Sequence, residues 1–195
     1  MRFSPTYRIE ALATNPPINE LVASLKVWRD RNKSRAMEER QGLKLLFYGP
    51  PGLGKTELAN YLAYELDLEL TQARVSDVMS PWVGESERNL ANLFRKRESS
   101  LGILLIDELE SLLFSRDMAL RSWELRFVNE FLTCLDLYKG LFIGTTNRPD
   151  RLDNAGLRRL GRKVEFRALE DSGKIELFEA FLKPLTGRAL NKTES

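Results

Sequence analysis

Gly49-Pro50-Pro51-Gly52-Leu53-Gly54-Lys55-Thr56 is the stretch whose reading decides the fold. It fills every position of the phosphate loop G-x-x-x-x-G-K-S/T. The context fits as well. Leu43, Leu45, Leu46, Phe47 and Tyr48 form a short apolar run before it, the pattern of a buried strand. Leu58, Leu62 and Leu66 recur at helical spacing after it. A strand that turns through glycines into a helix N-terminus makes a cradle of backbone N–H groups for an anion. Pro50 and Pro51 have no N–H, so the donors come mainly from Gly52 through Thr56. The glycines permit unusual φ angles and close approach of the ligand. Lys55 supplies a point charge for the β- and γ-phosphates, and the Thr56 hydroxyl is placed to ligate Mg²⁺. The nucleotide-binding run is therefore Gly49, Pro50, Pro51, Gly52, Leu53, Gly54, Lys55, Thr56 and Glu57.

Further along, Ile103-Leu104-Leu105-Ile106-Asp107-Glu108 reads as a buried strand ending in two carboxylates. Paired acids alone often just begin a helix. Beside a phosphate loop they form a second functional element, with Asp107 on Mg²⁺ and Glu108 on the attacking water. A glutamate in that position favours hydrolysis over transfer to another acceptor. Thr145-Thr146-Asn147-Arg148-Pro149-Asp150 follows the next strand and admits two readings. Asn147 orients the water and senses the γ-phosphate, or Asn-Arg-Pro-Asp is a guanine-recognition motif. The second reading wants lysine where Arg148 stands, and no D-x-x-G switch follows the metal strand. Adjacent arginines are usually solvated, but Arg158 and Arg159, before a terminal strand, read as arginine fingers acting on a neighbouring subunit's nucleotide.

The rest of the chain supplies the frame. Strands are expected at Leu43–Tyr48, Leu68–Val75, Ile103–Ile106, Leu141–Ile143 and Val164–Phe166. The helices between them carry Leu58/Leu62/Leu66, Leu90/Leu93/Phe94 and Trp123/Phe127/Val128/Phe131/Leu132. Alternating strands and helices imply an α/β fold, a three-layer α/β/α sandwich around a mainly parallel five-stranded sheet. Residues 1–17 read as an irregular arm ending at Asn15-Pro16-Pro17. The core is expected over 18–168, opened by a helix bearing Ile18, Leu21, Val22, Leu25 and Trp28, and the polar stretch Arg29 to Arg40 reads as a solvated helix end and loop.

Composition narrows the function. An apolar fraction of 43% and a charged fraction of 30% over 195 residues suit a chain with one real core and exclude a disordered or collagen-like one. Thirty basic against 28 acidic residues leave +2, which argues against a dedicated nucleic-acid or anionic-membrane binder. There is no histidine, so histidine triads, bases and metal sites are excluded. Cys134 is the one cysteine, lies in an apolar stretch and reads as a small core residue in a reducing compartment. No apolar run approaches the roughly 20 residues of a membrane span, and no signal-peptide pattern opens the chain. A cytoplasmic location is expected. Asn191-Lys192-Thr193 is read as a chance glycosylation sequon.

These motifs, in this order, resemble the AAA+ ATPases, specifically the AAA clade in the narrow sense, over roughly residues 43–185. Trp82-Val83-Gly84-Glu85-Ser86-Glu87 is similar to that clade's aromatic-x-G-E-S-E pore loop. Val128-Asn129-Glu130-Phe131-Leu132-Thr133 is similar to its V-N-x-L-L-T helix. Thr146-Asn147-Arg148-Pro149 matches its sensor 1, and Arg158 and Arg159 match members whose finger motif reads L-R-R. Ser80-Pro81-Trp82 and Arg121-Ser122-Trp123-Glu124 further resemble a bacterial subgroup. The clade's W-x-D-V-G-G segment is absent, with Asn15-Pro16-Pro17-Ile18 near its place, so the adenine contacts are left unassigned. The resemblance implies ATP/ADP and Mg²⁺ as cofactors, a ring of identical chains, a hexamer by the family's habit, and Trp82 and Val83 gripping a polypeptide client. Residues 169–195, with Ile175, Phe178, Phe181 and Leu182, would begin a helical lid that is largely missing. A truncated or unusually short member and weak ATPase from this chain alone are the matching expectations. Two rivals are a nucleotide-binding module with little turnover and, with less in its favour, a small-molecule P-loop kinase.

Overall fold

The computed structural model describes residues 9–80, 82, 84–95, 101–113, 122–168 and 174–175. The residues before residue 9, Val83, Arg121 and the residues expected to begin a lid, Phe178, Phe181 and Leu182, lie outside them, as do the side chains of Ser122, Trp123 and Glu124.

The strands are β1 Thr14–Asn15, β2 Leu43–Tyr48, β3 Glu69–Arg74, β4 Gly102–Asp107, β5 Leu141–Thr146 and β6 Arg162–Phe166. They form a six-stranded sheet in the order β1-β6-β2-β5-β4-β3. Every pairing is parallel except β1 on β6, where Thr14 faces Phe166 and Asn15 faces Glu165. The helices are α1 Ile18–Lys33, α2 Lys55–Leu66, α3 Val75–Val78, α4 Glu85–Arg95, α5 Ser122–Leu137 and α6 Asn154–Arg159. The expected five parallel strands are present. The sixth, β1, lies in what reads from sequence as an irregular arm. Two residues are too few to show a period-2 pattern, and β1 exists because β6 offers a free edge.

Both faces of the sheet are covered, which accounts for the continuous apolar runs of β2, β4 and β5. Alternate residues serve opposite faces. Leu45, Phe47, Ile103, Leu105, Leu141 and Ile143 pack with Leu21, Leu25, Leu58, Leu62 and Leu66 of α1 and α2. Leu46, Leu104, Ile106 and Phe142 pack with Leu90, Phe94, Phe127, Phe131 and Leu135 of α4 and α5. Phe94 centres that second layer, edge-on to Phe131 at 5.9 Å and Tyr138 at 5.5 Å and stacked on Phe142 at 6.1 Å. Each buried leucine or phenylalanine contributes roughly 1.5–3 kcal/mol by leaving water. Cys134 is half-buried against this layer. β3 is an edge strand whose Glu69, Gln72 and Arg74 are exposed, charged and polar, as an edge requires.

Asn32, 2% exposed, ties α1 to the start of β2. Its Oδ1 accepts from the Gln41 N–H at 2.8 Å, its Nδ2 donates to the Trp28 carbonyl at 2.8 Å, and Trp28 Nε1 donates to the Gln41 carbonyl at 2.7 Å. Among the described residues no helix is long and apolar enough to cross a membrane. Because β2, β4 and β5 run parallel, their C-terminal ends open on one edge of the sheet, where ligands of open α/β folds bind.

Candidate functional site

Three loops meet at that edge. The first leaves β2 through Gly49 at φ 141°, Gly52 at φ 78° and Gly54 at φ 83°, and enters α2 at Lys55. A side chain at Gly49 would place its Cβ 2.2 Å from the Phe166 carbonyl oxygen, so the loop can leave the sheet here only as glycine. Leu53 is half-buried against the α1/α2 layer and anchors the loop, while Pro50, Pro51 and Gly52 cross its outside. Glu57 is exposed in the first turn of α2, where its charge complements the helix N-terminus.

Lys55 is 8% exposed. Its ammonium donates to the Gly49 carbonyl at 2.8 Å, the Pro50 carbonyl at 2.8 Å and Asn147 Oδ1 at 2.7 Å. The last bond joins residues 92 positions apart and brings the loop after β5 onto the phosphate loop. Burial holds the Lys55 ammonium below the ordinary lysine range, and the carboxylates of Glu110 and then Asp107 oppose that shift.

Asp107 closes β4. Its Oδ1 accepts from the Thr145 hydroxyl at 2.9 Å and the Thr56 hydroxyl at 3.2 Å, and its Oδ2 accepts from Gln72 Nε2 at 2.7 Å. Thr56 and Asp107 thus stand side by side as hard oxygen donors. Among the described residues no group of three or more His, Cys, Asp or Glu could hold a metal alone. Hard oxygen donors are the kind that Mg²⁺ accepts, since that ion keeps waters and takes phosphate oxygens as its other ligands. Glu108 is exposed and has the left-handed backbone φ 61°, ψ 49°. Its N–H donates to Thr145 Oγ1 at 3.4 Å. That left-handed turn takes Glu108 out of the strand's alternation.

Asn147 is exposed at the end of β5, and its N–H donates to Glu110 Oε1 at 3.2 Å. Beyond it Arg148 clasps Asp150 through Nε at 3.3 Å and Nη2 at 3.2 Å, which lowers the Asp150 carboxyl and raises the Arg148 guanidinium from their ordinary values. Arg148 is thereby engaged within its own loop.

The structure brings Gly49–Glu57, Asp107, Glu108 and Asn147 to one edge. It places the other three described candidates elsewhere. Arg158 and Arg159 end α6, which Asp153 caps by accepting from the Ala155 N–H at 3.0 Å and the Gly156 N–H at 3.4 Å. Arg158 is exposed. Arg159 is engaged, with Nε on Asp136 Oδ2 at 2.8 Å and Nη1 on the Ala155 carbonyl at 3.2 Å. Trp82 is 71% exposed, so it is not a core aromatic. Its loop is pinned at the base by Ser80, whose N–H donates to Ser86 Oγ at 2.8 Å and whose hydroxyl donates to Glu85 Oε2 at 2.7 Å.

Sequence reading misses Thr145, Gln72 and Glu110. Thr145 begins the Thr-Thr-Asn-Arg-Pro stretch and is recoverable from it. Gln72 becomes a neighbour of Asp107 only through the register of β3 on β4, with Arg74 opposite Asp107. Glu110 looks like one more acid after Asp107-Glu108.

A protein-family model described as "ATPase family associated with various cellular activities (AAA)" matches residues 45–168, well over half of the chain. Among curated relatives, the mouse (Mus musculus) protein "Nuclear valosin-containing protein-like" is 42% identical over 126 residues, covering 60% of this chain and 15% of that protein. "Cell division protein C" of Sulfolobus acidocaldarius is 37% identical over 136 residues, covering 63% of this chain and 36% of that protein. "Ribosome biogenesis ATPase RIX7" of Saccharomyces cerevisiae is 32% identical over 199 residues, covering 92% of this chain and 24% of that protein. The chain thus spans little more than a third of these relatives' length, or less.

Proposed function

Because the chain belongs to the AAA ATPase family, we propose that it binds ATP with Mg²⁺ and hydrolyses it as one subunit of a hexameric ring that pulls on a polypeptide. In this reading residues 18–168 are the nucleotide-binding core, 1–17 an arm and 169–195 the beginning of a helical lid. The observation that carries it is the meeting of Lys55, Thr56, Asp107 and Asn147 from three separate loops at the strand ends.

Each residue then has a physical task. The N–H groups of Gly52 through Thr56 and the α2 terminus receive the phosphates. Lys55, already inside the loop, places its charge against the β- and γ-phosphates. Thr56 and Asp107 would hold Mg²⁺, which supplies neutralisation of the phosphate charge when bound. Glu108 accepts a proton from the attacking water as its oxygen bonds to the γ-phosphorus and the bond to the β–γ bridging oxygen breaks, releasing ADP. Asn147 orients that water. Arg158 and Arg159 act on the nucleotide of the neighbouring subunit. Trp82 and Val83 supply the grip on the client, and the exposure of Trp82 on a pinned loop supports this role.

Two substitutions test binding and chemistry separately. Lys55→Ala is expected to weaken ATP binding severely while the fold persists, and unchanged affinity by calorimetry removes the site. Glu108→Gln is expected to keep Mg²⁺-ATP and to lose turnover by roughly 10²-fold or more. Hydrolysis at the wild-type rate would take Glu108 out of the mechanism.

A further inference from the structure

Among the described residues one buried side-chain oxygen is left without a hydrogen-bond partner: Glu110 Oε2. Buried polar atoms are satisfied as a rule, so an exception beside a functional site calls for an explanation. The other carboxylate oxygen, Oε1, accepts from the Asn147 N–H at 3.2 Å.

Packing, not Glu110 itself, fixes where this carboxylate stands. Glu110 lies in a 3₁₀ turn, Leu109–Ser111, that follows β4 directly. Leu109 is fully buried and sits in the space left by Gly144 of β5, where a Cβ would come within 2.1 Å of Leu109 Cδ1. The turn closes through the Leu113 N–H on the Leu109 carbonyl at 2.7 Å. Its far end is held by the Asp153 N–H on the Leu113 carbonyl at 2.8 Å. The carboxylate is therefore presented to the loop after β5 by a rigid support on β4 and β5.

We infer that Glu110 is a positioning residue: its Oε1 fixes the backbone of Asn147 and so aims the asparagine amide into the site. This rests on the reading of the site given above. The same carboxylate opposes the burial that disfavours the Lys55 ammonium, and that ammonium bonds Asn147 Oδ1. Asn147 is thus held at its backbone by Glu110 and met at its amide by Lys55. The bond to the Asn147 N–H comes from a side chain within a turn whose other residues do the packing.

The test compares Glu110→Ala and Glu110→Gln in the full 195-residue chain. It uses Mg²⁺-ATP turnover, calorimetric ATP affinity and amide hydrogen exchange at Asn147. Glutamine keeps a carbonyl acceptor and alanine does not. Glu110→Ala is expected to lower kcat by roughly 10- to 10²-fold, the scale of a misplaced group, while ATP affinity stays within about threefold. Glu110→Gln is expected to recover most of kcat, and the Asn147 amide to exchange faster in the alanine variant only. Should Glu110→Ala fail to fold, Glu110→Asp, which withdraws the acceptor while keeping the charge, takes its place under the same criteria. A wild-type kcat in Glu110→Ala, a Glu110→Gln as slow as Glu110→Ala, or unchanged exchange at Asn147 overturns the inference. If Glu108→Gln is inactive in the same assays, the inference falls alone. If Lys55→Ala binds ATP like the wild type, the reading of the site falls and takes the inference with it.

Discussion

Gly144 shows how one missing side chain can set a site's geometry. It lies buried in β5 between Thr145, which bonds Asp107, and Ile143 of the core. The space above it is filled by Leu109, so the turn bearing Glu110 can lie flat on the strand. Gly144→Ala should therefore overpack this contact and cost about 1–3 kcal/mol in urea unfolding. Leu109→Ala alone removes a fully buried side chain and should cost about 2–5 kcal/mol. If contact between these two residues is the cause, the double variant should cost less than the sum, by about 0.5–3 kcal/mol. Strict additivity would show that the glycine serves something other than Leu109. This dependence is invisible in the sequence, where Gly144 is one glycine inside an apolar run.

At the scale of elements, legibility follows length and burial. β2, β4 and β5 were readable because strands buried on both faces become unbroken apolar runs, and α2 and α5 because twelve or sixteen residues display a helical period. α3 and α6, with four and six residues, and β1 with two, are too short for any period to appear. The signal for α6 was local instead: Asp153 before Asn154-Ala155-Gly156 is an N-cap pattern that could have located it. Asp153→Ala should lower stability by about 1 kcal/mol in chemical denaturation. In an assembled ring it should also lower turnover, because α6 carries Arg158 and Arg159. The loop before α4 gives the opposite expectation. Trp82 is 71% exposed, so Trp82→Ala should leave stability within about 0.5 kcal/mol while reducing client processing more than basal ATPase. A large loss of stability in a thermal melt would show that the indole packs after all. The candidate site was legible where it is a contiguous motif, as at Gly49–Thr56 and Asp107-Glu108. It was not legible where tertiary register makes the contact, as for Gln72 against Asp107.

The candidate residues fall at two different positions in the molecule. The phosphate loop, Asp107, Glu108 and Asn147 open at the ends of β2, β4 and β5, whereas α6 with its arginines precedes β6, next to the outermost strand β1. Arg159 is turned onto Asp136 and Arg158 faces solvent, and neither bonds the Lys55–Asn147 cluster in this chain. If they act on nucleotide, they reach that of another copy. Nucleotide binding should then be a property of one chain and fast hydrolysis a property of several. The first half predicts that Mg²⁺-ATP at about 100 times its Kd stabilises the fold by about 2.7 kcal/mol, a rise in Tm of roughly 5–10 °C. Lys55→Ala should lose that rise. The second half predicts that ATPase per chain climbs with protein concentration, since an arginine finger contributes about 10³–10⁵ in rate. An Arg158→Ala/Arg159→Ala chain and a Lys55→Ala chain should each be nearly inactive alone. Mixed at concentrations where the wild type is active, they should recover part of its rate, because one brings an intact nucleotide site and the other intact arginines. Activity that is independent of concentration, with no recovery on mixing, would confine the whole reaction to a single chain and leave Arg158 and Arg159 without a catalytic part.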